Sequence, residues 1–163
     1  MIFSRPSIQL LILLLISFFI QLFIPAINID GIILIPDILI IFLTYLGFYY
    51  GRFEAIIIGF IFGFLQDILT QWELLGIMSL IKSIMGYFLG TLALYRSIWN
   101  IQFRLFIIFI IYNLHFACFY FISLNNISLN EFFFIKIVLF QSILSFFILL
   151  IFDKAIINNG ILK

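Results

Sequence analysis

The chain has 163 residues, of which 66% are hydrophobic and 9% charged, with a net charge of +1 and a mean hydropathy of +1.37. A water-soluble domain is about half apolar and about a quarter charged, so water is excluded as the solvent for most of this surface. Near-neutral charge with scattered basic residues also excludes a nucleic-acid footprint.

A membrane-crossing helix needs roughly 20 mostly apolar residues. Runs of that length fall near 7–27, 32–50, 53–70, 74–95, 105–124 and 132–152. The expected fold is therefore all-α: one integral membrane domain over 1–163, a polytopic bundle of about six transmembrane helices. The first run follows Arg5 and precedes Pro25 and Ala26, as in a secretory signal. It is longer than a cleavable apolar core of about 7 to 15 residues and lacks an A-x-A-like site, so it reads as a retained helix. Connections are short, which makes consecutive helices antiparallel neighbours.

Orientation follows from the positive-inside rule. With the N-terminus in the cytoplasm, Arg5, Arg52, Arg96, Arg104, Lys154 and Lys163 share one side, while Asp30, Glu73 and Glu131 mark the other. Of the basic residues, only Lys82 and Lys136 fall within spans. Both termini are thus expected to be cytoplasmic.

The second span opens at Pro36-Asp37. Proline suits a first helical turn and an acid there is favoured by the helix dipole, so a helix start is the plain reading. The third span carries Gly59, Gly63, Gln66, Asp67 and Thr70 on one small, polar face. The fourth repeats the device with Gly76, Ser79, Ser83, Gly86 and Gly90, Lys82 lying at its margin. Small residues let helix backbones approach closely in lipid, which predicts a tight antiparallel pair of these two helices.

Charges within a bilayer cost at least about 2.5 kcal/mol and therefore pair or face a cavity. Asp67 sits about one turn from the outer end of the third helix and Lys82 about two turns down the fourth, within reach of an outward-pointing lysine stem. An Asp67–Lys82 ion pair, joined by Asp37, is one expectation. The other is that both aspartates reach the interface and Lys82 snorkels. In the fifth span His115 and Asn113 lie mid-membrane, with no second titratable group placed beside the histidine by sequence; packing and interhelical hydrogen bonding account for them, as for Gln141 in the sixth. Cys118, the sole cysteine, reads as a small hydrophobe within the membrane and permits neither an intramolecular disulfide nor a metal cluster. With one histidine and one cysteine, nucleophilic or metal-dependent hydrolysis lacks its parts. No catalytic residue, metal site or cofactor is expected.

Pro36-Asp37, then Gly59-xxx-Gly63-xxx-Asp67, then Leu75-Gly76 and Gly86-Tyr87 together resemble the rod shape-determining membrane protein family MreD. The pattern covers the second to fourth helices, about a third of the chain, with Pro36, Asp37, Gly59, Gly63, Asp67 and Gly76 as its positions. The resemblance implies a non-enzymatic scaffold of the bacterial inner membrane, acting in cell shape and peptidoglycan synthesis. It would associate with MreC and, through it, with MreB filaments and the glycosyltransferase RodA with its transpeptidase. Lys82 stands outside the pattern. MreD-type chains also look similar in fold to the substrate-binding components of energy-coupling-factor vitamin transporters, the alternative reading. A vitamin pocket would then be lined by Asp37, Asp67, Glu73 and Lys82. Such components carry an Ala-xxx-Ala docking motif in the first helix, and here that helix is bulky Leu, Ile and Phe, so no small-molecule substrate is expected.

Overall fold

The computed structural model describes residues 8–29, 32–70, 75–123 and 131–155; Arg5, Asp30, Glu73 and Lys163, named above, lie outside them. The described residues form six helices, α1 (Ile8–Phe23), α2 (Ile38–Tyr50), α3 (Arg52–Thr70), α4 (Ile77–Leu94), α5 (Ile101–Ser123) and α6 (Glu131–Ala155), and one small hairpin, β1 (Ile27–Ile29) with β2 (Ile32–Leu34). Four of the helices, α3 to α6, are long and apolar enough to cross a membrane, and α2 is a shorter apolar helix. The chain is a polytopic helical membrane protein.

The hairpin corrects two expected boundaries. The apolar run 7–27 ends as helix at Phe23, and the run from 32 does not begin as helix: Ile27 pairs with Leu34, Asn28 with Ile33 and Ile29 with Ile32 in antiparallel register. Helix α2 starts only at Ile38, after Asp37, whose carboxylate accepts from the backbone N–H groups of Leu39 at 3.0 Å and Ile40 at 3.2 Å. A side-chain acceptor at this position satisfies donors that a helix leaves without intrahelical partners. Helix α5 begins four residues earlier than expected, at Ile101 rather than 105, which brings Arg104 into its first turn.

Helix α2 is the axis of the bundle. Its residues from Leu39 to Gly47 are buried without interruption, as befits a helix apolar on every face, and it packs against α1, α3, α4 and α6. The most extensive pairing is α3 with α4, and its cause is the absence of side chains. A Cβ on Gly63 would collide with the backbone of Met78 and Ser79, one on Gly59 would lie 2.6 Å from the Lys82 carbonyl oxygen, and one on Gly86 would meet the Ala55 carbonyl at 2.5 Å. Gly90 lies against Arg52 and its nitrogen against Gly47. The outward faces are rows of large apolar side chains, among them Phe53, Phe60, Leu80, Phe106 and Phe147, which suits a surface bathed in lipid.

Candidate functional site

The polar groups inside the bundle gather around the segment that leads into α2. Asp37 is 3% exposed, while Lys82 and His115 are fully buried. The Asp37 Oδ2 atom forms an ion pair with Lys82 Nζ from α4 and lies 3.1 Å from His115 Nε2 of α5. Oδ1, meanwhile, caps α2. One carboxylate thus ties three helices together, and a paired, hydrogen-bonded charge is the form in which an ion can persist away from water.

A second ring of polar contacts holds this loop in place. Gln21 of α1 donates from Nε2 to the Pro36 carbonyl at 3.2 Å and accepts at Oε1 from Ile38 N at 2.6 Å. From α6, Ser145 Oγ accepts from Asp37 N at 3.4 Å and Gln141 Nε2 donates to the Ile35 carbonyl. The proline matters here: it has no N–H to satisfy, and its carbonyl is taken by Gln21. Further along α2, Thr44 Oγ1 donates to the Ile40 carbonyl and shares a 2.9 Å hydrogen bond with Tyr112 OH of α5. Tyr45 OH donates to Asp153 of α6 at 3.3 Å.

The expected Asp67–Lys82 pair is not what the structure contains: Lys82 is paired with Asp37, and Asp67 does something else. Fully buried, Asp67 accepts from the backbone N–H groups of Gly76 at 2.9 Å, Met78 at 3.2 Å and Ser79 at 3.3 Å. It caps the N-terminus of α4 from the neighbouring helix, where negative charge is favoured by the helix dipole. Gly76 stands at that N-cap with φ of 102°, a left-handed conformation that glycine adopts without a steric penalty. Gly59, Gly63 and Asp67 therefore form one continuous line on α3, all three meeting α4. Because Gly59 seats the Lys82 backbone against α3, the lysine side chain is free to reach α2 and α5.

His115, expected to serve packing and interhelical hydrogen bonding with no titratable neighbour, has an acid beside it, contributed by a residue 78 positions away. Asn113 spends its amide on the Phe109 carbonyl at 2.9 Å within its own helix. Cys118 is exposed on the surface of α5. Gln21 and Ser145 were not anticipated; the available signal was a glutamine near the end of the apolar α1 and the polar residues Gln141 and Ser145 one turn apart on α6. Among the described residues no group of three His, Cys, Asp or Glu side chains is placed to hold a metal ion.

The family model for rod shape-determining protein MreD matches residues 1–157 of the 163-residue chain. The chain belongs to the MreD family. Neither the curated proteins nor the solved structures contain a match. Membership of MreD places the protein among the determinants of rod shape. The structure gives the residues singled out in the sequence a physical role: Pro36-Asp37 starts and anchors α2, and Gly59, Gly63, Asp67 and Gly76 build the α3–α4 seam. The vitamin-binding alternative has no support from these findings. Asp37 and Lys82, two of the residues expected to line a pocket, neutralise each other, and Asp67 is bonded to backbone.

Proposed function

We propose that this MreD chain is a non-enzymatic hub of the cell-elongation machinery. In this reading it lies in the bacterial inner membrane as one unit crossing six times, with both ends in the cytoplasm. It associates with MreC and, through MreC, links MreB filaments to RodA and its transpeptidase, supporting peptidoglycan synthesis.

The observation that carries the reading is the disposition of the interior polar groups. Asp37, Lys82, His115 and Asp67 all have protein partners within hydrogen-bonding reach, and those partners come from other helices or from helix ends. Such an interior holds helices at fixed positions. What remains for other molecules is the outer surface, where in lipid small-residue grooves, shape and a few polar groups govern helix association. The end of the bundle that carries Arg52, Arg96, Arg104 and Lys154 is the cytoplasmic end on the positive-inside rule.

Recovery in a mild detergent tests the proposal. The tagged full chain, isolated from its host membrane and analysed by mass spectrometry, is expected to bring down MreC together with RodA or its transpeptidase. Recovery of a vitamin or an ATPase module in their place would overturn the proposal. Tags at the two ends are expected to be accessible from the cytoplasm alone.

A further inference from the structure

Lys136 is an intramembrane cation that the interior of the bundle does not use. It stands five residues into α6, which begins at Glu131. Centred in a hydrocarbon layer of about 30 Å, a helix of 25 residues, about 37 Å long, projects about 4 Å at each end, so Lys136 lies on the apolar side of the boundary. The exposed side chains Phe132, Ile135, Leu139, Phe140, Ile143 and Phe147 mark the face of α6 turned away from the bundle. At 3.6 residues per turn, the half-buried Lys136 falls in the middle of that face, while Gln141, Ser142 and Ser145 are buried on the inner one.

No carboxylate of the described residues answers this charge. Asp37 is taken by Lys82 and His115, and Asp67 by the head of α4. Glu54 stands in the first turn of α3, beside Arg52 at the other end of the bundle, and Asp153 lies 17 residues further along α6, about 25 Å away. Glu131 precedes Lys136 by five positions, whereas neighbours on a helix surface are three or four apart. The contact that Lys136 does make is with the ring of Phe140, 5.9 Å from amine to centroid and one turn further from the Glu131 end. An aromatic face attracts a cation without neutralising it. Ionisable side chains within a membrane pair or face a cavity; this one is turned to lipid, and its pairing is incomplete among the described residues.

We propose that this face of α6 is the seam on which a partner's transmembrane helix docks, the partner bringing an aspartate or glutamate at the depth of Lys136 to pair with it. The inference rests on the hub reading and gives one of the hub's contacts a chemistry. Phe132, Lys136, Leu139, Ile143 and Phe147 recur every three or four residues, the repeat along which two helices pack. A single polar group in an otherwise apolar seam fixes register and partner, because a shifted or exchanged partner leaves charge unpaired in lipid. A lipid headgroup is the poorer occupant: its phosphate lies beyond the Glu131 end of the apolar layer, whereas the amine lies over a ring one turn deeper.

The test isolates the tagged full chain and its Lys136→Met, Lys136→Arg and Lys136→Glu variants from the host membrane in mild detergent. The MreC, RodA and transpeptidase retained by each are quantified by mass spectrometry. Lys136 faces away from the interior, so Lys136→Met is expected to accumulate and melt as the wild-type chain does. It is expected to retain about tenfold less of one of these partners, the scale of truncating one member of a desolvated charge pair. Lys136→Arg, which keeps the charge, should retain about as much as the wild type. Lys136→Glu combined with a lysine in place of that partner's intramembrane carboxylate should restore retention. Equal retention by the wild-type chain and Lys136→Met would overturn the seam and leave the hub reading standing, and recovery of no membrane partner by the wild-type chain would overturn both. Loss of a bound phosphatidylglycerol from Lys136→Met in native mass spectrometry, with every partner still retained, would assign the cation to lipid and overturn the proposal.

Discussion

Lys82 and Asp37 are 45 residues apart in sequence and form an ion pair inside the bundle, with His115 on the same carboxylate oxygen. Removing one member of a buried pair strands the other, at a cost of about 3 to 5 kcal/mol, while removing both costs far less. Lys82→Met and Asp37→Asn are each expected to lower the melting temperature in detergent sharply. The double variant is expected to be more stable than either single one. A double variant at the sum of the two losses would exclude the pairing. The cycle of Asp67→Asn with Lys82→Met should be close to additive, since Asp67 bonds to the start of α4 and not to Lys82.

The α3–α4 seam predicts a contrast between two glycines. At Gly63 an added Cβ collides with the backbone of Met78 and Ser79, so Gly63→Ala forces the helices apart and is expected to cost upwards of about 2 kcal/mol, in the range of overpacked cores. At Gly76 nothing lies within 4 Å of an added Cβ. Gly76→Ala should cost about 1 to 2 kcal/mol, the penalty for an L-residue in the left-handed region. Membrane accumulation and melting temperature should follow the same order, with Gly63→Ala the more damaging.

Asp67→Ala leaves three backbone N–H groups at the head of α4 without their acceptor. The expected loss is about 1 to 3 kcal/mol, the desolvation penalty of buried donors. Hydrogen exchange should report it locally: amides of Gly76, Met78 and Ser79 exchange faster, while those of α6 are unchanged. Uniform acceleration across all helices would argue against a local cap.

Thr44 and Tyr112 predict non-additivity of a different kind. Their hydroxyls share one buried bond of 2.9 Å. Tyr112→Phe or Thr44→Val alone should cost about 1 to 3 kcal/mol, because the remaining hydroxyl loses a partner. The double variant should lose less than the sum in thermal melts.

Hydropathy made the helical membrane class legible, because four of the six helices are apolar runs long enough to cross a bilayer. It did not separate Ile27–Ile29 and Ile32–Leu34 from helix, since short apolar runs look alike in either conformation. Asp30-Gly31 between them, a dipeptide that favours tight hairpins, was the overlooked signal. The spacing of Gly59, Gly63 and Asp67 put them on one face. The matching small residues of α4 made it the expected neighbour, but that Lys82 turns away from α3 toward Asp37 depends on how each helix is rotated in the bundle. Rotation is a tertiary quantity. The partnership of Asp37 with His115 of α5 and Ser145 of α6 is invisible for the same reason: local periodicity places a residue along its own helix and says nothing of which distant helix stands opposite.

The line from Gly59 through Gly63 to Asp67 is buried, as is Asp37. These four residues, among those that carry the resemblance to the family, are thus hidden from any visitor to the outside of the protein. Two chains could keep all four and still consort with different neighbours, because these positions govern how the molecule is assembled, and the choice of companion is left to the side chains that face the lipid.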